Sequence, residues 1–169
     1  HHRSSAASDV YKRQTMYNTY VSEMYLKNNL AKPRGFICCG RPVELNKIKT
    51  PMYFLSAIDD HIAPWKSTFS GTELVGGHLE FVLGGSGHIA GVINPPEKNK
   101  RNYWTSGELG HGPDHWLESA TNNLGSWWTH WHKWLEGQDA RQVPARQIET
   151  VGDYKEIVPA PGDYVRVRL

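Results

Sequence analysis

No stretch of this sequence approaches the roughly 20 consecutive apolar residues that a membrane-spanning helix needs, so no membrane span is expected. Charge of one sign is scarce as well. Lys and Arg number 19 against 17 Asp and Glu, a net charge of +2, which supplies no field for capturing nucleic acid or an anionic surface. Cysteine is limited to Cys38 and Cys39, adjacent in the chain. Two neighbouring thiols build no disulfide framework, and two alone complete no structural zinc site. A reducing, intracellular setting without a metal centre is the economical expectation. An initiating Met is missing too, and 169 residues make one domain or a large piece of one, so the protein is expected to extend further upstream. Tryptophan is what the chain has in excess: five of its seven fall between Trp116 and Trp134.

Residues 1–14 have neither helical nor strand periodicity and lack the apolar centre of a signal peptide. They read as a disordered tag remnant or translated adapter. Arg3, Lys12, Arg13 and Asp9 belong to that segment, and without them the basic and acidic residues balance at 16 each. From 15 onward the chain has the pattern of a globular α/β protein. Met16, Tyr17, Tyr20, Val21, Met24, Tyr25 and Leu26 recur at helical spacing, which predicts an amphipathic helix over 15–30, ended by Asn28-Asn29 and Pro33. Residues 43–48 read as a polar connector. Met52-Tyr53-Phe54-Leu55-Ser56-Ala57-Ile58 is a near-continuous apolar run of strand length, the pattern of a strand buried in a parallel sheet. A helical stretch over 64–76, stopped by Gly76-Gly77, leads to a second strand, Leu79-Glu80-Phe81-Val82-Leu83. This strand–helix–strand unit implies a right-handed parallel crossover. Residues 94–113 read as a surface loop, followed by helical stretches over 114–122 and 125–136. Trp127, Trp131 and Trp134 share one face of the latter, and core packing is the favoured reading of that face over an exposed partner surface. No internal repeat is present.

Chemistry in an open parallel sheet collects just past the carboxyl ends of strands. Asp59-Asp60-His61 follows one predicted strand and His88 follows the next, so both lie at one sheet edge. An imidazole is the natural general base near neutral pH, and a carboxylate one strand away can fix its tautomer. Acid followed by histidine is the chain order of an α/β-hydrolase triad, with the nucleophile earlier. Asp after a strand is also ordinary turn and cap chemistry, and both readings of Asp60 stand at this point. The glycines around Ser86 and His88 would free the loop to carry the ring into a cleft.

The nucleophile is harder to place. An elbow wants small residues two before and two after it, whereas Cys38 has Phe36 and Gly40 there, and Cys39 has Ile37 and Arg41. Both cysteines read as connector residues, and Ser86, two positions from His88, fails as well. His61, His78, His111, His115, His130 and His132 read as surface histidines. His130 and His132 fall on different helix faces, the wrong spacing for a shared metal. Lys98, Lys100 and Arg101 form a candidate phosphate patch, with a solvated loop as the competing reading.

Asp60-His61-Ile62-Ala63-Pro64-Trp65, then Gly84-Gly85-Ser86-Gly87-His88-Ile89-Ala90-Gly91-Val92-Ile93-Asn94-Pro95-Pro96, then Gly125-Ser126-Trp127-Trp128 resemble class I poly(3-hydroxyalkanoate) synthases. Asn18-Thr19-Tyr20, Tyr25-Leu26, Asn28-Asn29-Leu30 and the closing Pro159-Ala160-Pro161-Gly162-Asp163-Tyr164-Val165 fit the same family. The resemblance covers 15–169 and implies the C-terminal portion of an α/β-hydrolase-type catalytic domain, with the last strands and helices of a parallel sheet. It implies polymerisation of (R)-3-hydroxyacyl-CoA, typically 3-hydroxybutyryl-CoA, into polyester with release of CoA. No cofactor is implied, since the CoA thioester is itself the substrate. Further implications are a homodimer and work at the surface of cytoplasmic granules. Asp60 and His88 are similar to the family's catalytic aspartate and histidine, and His61 and Trp65 are carried over as substrate-binding. The nucleophile would be a cysteine in an upstream Gly-x-Cys-x-Gly elbow. Another α/β-hydrolase, an esterase or depolymerase sharing only the Asp/His layout, is the main alternative; a binding module using the Trp-rich helix is a third.

Overall fold

The computed structural model describes residues 13–145 and 157–167. The expected adapter segment 1–14 therefore lies, up to residue 12, outside the described residues, as does 146–156 of the polar tail. The chain divides into two units, His1–Trp134 and Leu135–Leu169.

Helix α1, Gln14–Thr19, runs on as π-helical turns over Tyr20–Leu26 and a 3-10 turn over Asn29–Ala31. Its helical spacing is as read from the sequence, yet it buries none of its residues: Met16, Tyr17, Tyr20, Tyr25 and Leu26 are all exposed. A two-residue hairpin follows, β1 Ile37–Cys38 and β2 Arg41–Pro42. Cys39 and Gly40 form its turn, both at positive φ (49° and 73°), the backbone that matches the twist of tight hairpins. The connector reading missed this hairpin, because two-residue strands carry no periodicity.

The main sheet has the order β3-β4-β5-β6. Strand β3, Met52–Ala57, lies parallel to β4, Leu79–Gly84, in register from Met52↔Leu79 to Ala57↔Gly84. A parallel pair demands a crossover, which helix α2, Trp65–Phe69, and a 3-10 turn over Ser70–Glu73 supply. The rest of the sheet departs from the expected parallel arrangement. Strand β5, Asn102–Thr105, runs antiparallel to β4, and β6, Thr121–Leu124, antiparallel to β5. The sheet is mixed. Between β5 and β6 lies helix α3, Pro113–Ser119.

Alternation of side chains along β3 and β4 feeds two cores. On one face Phe81 and Leu83 pack with Trp65, Phe69 and Trp116, joined by Phe54. Phe81 meets Phe69 and Trp116 edge-on, with ring centroids 4.9 and 4.8 Å apart. Such pairs add about 0.5–1.5 kcal/mol each beyond the area they bury. On the other face Val82, Tyr103 and Trp127 are buried, with Tyr53, Leu55, Val92 and Trp128 against them.

Trp127 opens helix α4, Trp127–Gln138. Core packing holds for Trp127 and in part for Trp134, which meets Tyr53 edge-on at 5.4 Å. Trp131, at 40% exposed, departs from it. His130 also departs from the surface reading: it is half-buried, and its Nδ1 lies 3.0 Å from the Tyr53 hydroxyl. Burial, then the Glu80 carboxylate, pushes that hydroxyl's pKa up, so it stays protonated and donates.

In the second unit the described residues hold the end of α4, an Asp139–Arg141 ion pair at 2.6 Å and a 3-10 turn over Tyr164–Arg166. Among the described residues no helix is long and apolar enough to cross a membrane.

Candidate active site

Two backbone contacts stitch the chain leaving β3 to the chain leaving β4, and a third turns the former back on itself. Ile58 N–H donates to Gly84 O at 2.9 Å, Asp59 N–H to Ser86 O at 3.1 Å, and Asp60 N–H turns back to Ala57 O at 3.2 Å. The glycines of the second loop serve this close approach rather than conformational freedom around His88. A Cβ on Gly91 would sit 2.6 Å from Ala57 Cβ and 2.9 Å from Gly87 O. The residue that takes the positive φ is Ser86, at 88°.

Within this frame Asp60 divides its carboxylate. Oδ1 accepts the backbone N–H groups of Ile62 and Ala63, each at 2.9 Å, which closes the turn after β3. Oδ2 lies 2.8 Å from Nδ1 of His88. The turn contacts and the histidine contact that the sequence allowed for Asp60 are both present, one set on each oxygen. Its side chain is 8% exposed, against 46% for His88. The Ala63 amide, then His88 and the Ile62 amide, hold its pKa down at about 2, against the desolvation that would raise it. Asp60 is therefore ionised at neutral pH and only accepts hydrogen bonds. An acceptor at Oδ2 assigns the proton of neutral His88 to Nδ1, leaving the Nε2 lone pair as the base. Nε2 has no hydrogen-bond partner among the described residues.

The two other carried-over residues do not join the pair. His61 is exposed beside the turn, and Trp65 is 7% exposed inside the aromatic core, with Lys66 Nζ 5.9 Å above its ring. Cys38 and Cys39 are free and exposed on the hairpin. The hydrogen bond from Cys39 pushes the Cys38 thiol pKa up, away from thiolate character. Lys98, Lys100 and Arg101 are exposed, while Lys100 O and Arg101 O take backbone-holding bonds from Asn94 Nδ2 and Gly125 N–H. Among the described residues no group of three or more His, Cys, Asp or Glu is placed to hold a metal ion. A cavity of about 120 Å3, lined among others by Leu30, Pro33, Leu45 and Leu74, includes none of the predicted site residues.

Sequence reasoning missed the apolar residues beside the pair. Ile62, Ile89 and Ile93 are 65, 71 and 61% exposed, and they follow Asp60 by two positions and His88 by one and five. The available signal was a β-branched apolar residue in a turn, where a polar one is usual.

No family model matches the chain. It is 44% identical over 152 residues to the poly(3-hydroxyalkanoate) polymerase subunit PhaC of Cupriavidus necator, which takes in 90% of this chain and 26% of that protein. The PhaC subunit of Rhizobium meliloti is 46% identical over 152 residues, with 90% and 24% covered. Poly(3-hydroxyalkanoate) polymerase 1 of Ectopseudomonas oleovorans is 34% identical over 163 residues, with 95% and 29% covered. The chain is a relative of the poly(3-hydroxyalkanoate) polymerases. The similarity extends over at least nine-tenths of the chain, which spans about a quarter of the length of the curated polymerases it matches.

Proposed function

We propose that Asp60 and His88 are the acid–base half of an acyltransferase site, in a protein that joins (R)-3-hydroxyacyl groups from CoA thioesters into polyester and releases CoA. The observation that carries this reading is the 2.8 Å contact from His88 Nδ1 to an ionised Asp60. His88 Nε2 takes the proton of a cysteine thiol supplied by chain outside this sequence. The thiolate attacks the thioester carbonyl, its C–S bond to CoA breaks, and the departing CoA sulfur takes the proton from Nε2. In the next half-reaction Nε2 takes the proton of a monomer's 3-hydroxyl, whose oxygen attacks the enzyme-bound acyl carbon and frees the cysteine sulfur. Asp60 acts through His88. Its low pKa and the hydrogen bonds already on both oxygens make it a poor direct base for a hydroxyl, which supports this route over one in which it takes the proton itself. The exposed Ile62, Ile89 and Ile93 provide apolar contact for an acyl chain, and Lys98, Lys100 and Arg101 supply charge for CoA phosphates. The family resemblance supports a homodimer working at cytoplasmic granules.

The test is the full-length protein with His88→Gln, supplied with (R)-3-hydroxybutyryl-CoA and followed by CoA release and by polyester formed. Loss of the base lowers both by about 10²–10⁴-fold. Undiminished turnover by that variant overturns the assignment of the base. Release of free 3-hydroxybutyrate in place of polyester overturns the polymerase in favour of a hydrolase.

A further inference from the structure

The loop bearing His88 is held at both ends, and its far end is held by a segment that carries no chemistry of its own. At the near end, Gly85 N–H donates to Asn102 O at 2.8 Å, and Ser86 O receives Asp59 N–H. From there the chain makes a helix-like turn, Gly91 N–H to Gly87 O and Ile93 N–H to Ile89 O, each at 2.8 Å. At the far end Val92 O accepts two indole N–H groups, from Trp127 at 3.1 Å and from Trp128 at 3.0 Å. The Ser126 hydroxyl donates a short hydrogen bond to Asn94 O, and Asn94 Nδ2 reaches Lys100 O at 3.0 Å and Gly125 O at 3.4 Å. Asn94, Ser126 and Trp127 are buried.

We propose that Ser126, Trp127 and Trp128 are positioning residues for His88: the clamp they close on Val92 and Asn94 holds the imidazole at hydrogen-bond distance from Asp60. The inference rests on the acid–base role given to that pair above. Helix capping asks less of these residues than they provide. As the residue before α4, Ser126 needs only to accept the Trp128 N–H, which it does at 3.1 Å, yet its own proton is spent on the loop. Packing on the sheet likewise needs the indole rings but not their N–H groups. One carbonyl has two lone pairs, and here both are taken by adjacent tryptophans, four residues from the base. The tolerance of such a site is about 0.5 Å, so a loop fixed only at its near end would not keep the ring in place.

Trp→Phe keeps most of the ring and removes the donor. In the full-length protein, Trp127→Phe and Trp128→Phe singly leave Val92 O one partner and lower kcat only slightly. The double variant lowers kcat at least about tenfold with KM within twofold, because misplacement by about 1 Å is worth on the order of 100-fold. Ser126→Ala, which leaves both tryptophans, lowers kcat by a smaller factor. Trp116→Phe, in the core on the opposite sheet face, lowers the melting temperature and leaves kcat unchanged, separating positioning from stability. In this chain labelled with 15N-histidine, the hydrogen-bonded Nδ1 proton of His88 persists in the single variants and is lost in the double variant. That signal reads the clamp even if the full-length protein polymerises nothing, so the two readings fail separately. A double variant with unchanged kcat and an intact Nδ1 proton overturns the clamp. So does an unaltered Ser126→Ala enzyme if the double variant does not fold.

Discussion

Asp60 holds a turn and an imidazole on one carboxylate, and the two sets of contacts depress its pKa together. Sequence order alone brought this residue and His88 forward, because strand ends of a parallel pair point the same way and the register Ala57↔Gly84 delivers both residues to one edge. What order could not convey is the split between Oδ1 and Oδ2, which depends on two backbone N–H groups folding back from two and three residues on. Asp60→Asn keeps the shape and an acceptor for the turn, but its amide can present N–H to His88 and favour the wrong tautomer. Polymerase kcat in the full-length variant is expected to fall by roughly 10³–10⁴, the scale found for the equivalent exchange in a serine-protease triad. The same substitution has a pH signature in folding. A carboxyl whose folded pKa lies near 2, below its ordinary value, contributes stability that is complete above about pH 4 and lost as pH falls towards 2. Thermal melts of the wild-type chain and Asp60→Asn should therefore differ at pH 5–7 and converge near pH 2. A gap that persists to pH 2 would mean that the ionised form is not what stabilises the turn.

Elements were legible in proportion to their burial. Strands β3 and β4 carry long apolar runs, and their bounds differ from the sequence reading by a residue at most, whereas the crossover helix expected over 64–76 is Trp65–Phe69 followed by a 3-10 turn that ends at Glu73. Strand β5 hides in a region dense in Pro, Gly, Asn and Lys, with only Tyr103 and Thr105 buried. Strand β6, Thr-Asn-Asn-Leu, has almost no strand propensity and owes its place to pairing: Asn102 reaches Asn122, and Asn123 reaches Thr105, each at 3.0 Å. The Trp-rich helix was legible as a helix, but not as the clamp on the loop beneath it, since indole hydrogen bonds leave no periodicity. Gly91 shows the same limit from the other side. Its glycine is demanded by Ala57 against it, a contact between the end of β3 and a loop residue 34 positions on. Gly91→Ala forces the loop away from the end of β3 and is expected to destabilise the chain by about 1–3 kcal/mol in urea unfolding. Gly110→Ala meets nothing within 4 Å, though its φ of 90° brings backbone strain, so a loss at Gly91 no larger than at Gly110 would count against close approach as the cause.

At the scale of the molecule, the proposed base has no nucleophile against it among the described residues. Among the described residues His88 Nε2 has no hydrogen-bond partner, the two cysteines sit on a separate hairpin, and β3 pairs only with β4. An open strand edge and the exposed Met16, Tyr20, Tyr25 and Leu26 of the first helix are the kind of surface that further chain covers. It follows that these 169 residues alone should release no CoA from (R)-3-hydroxybutyryl-CoA above the rate of a blank, with a thiol reagent as the readout. The His88–Asp60 contact would nonetheless be intact, because every bond that builds it lies between Ala57 and Trp128. Measurable CoA release by the isolated chain would contradict the division of labour, and its persistence in Cys38→Ala/Cys39→Ala would exclude both thiols as its source. A silent chain that regains CoA release when the remainder of the protein is added in trans would instead place the missing thiol in that remainder.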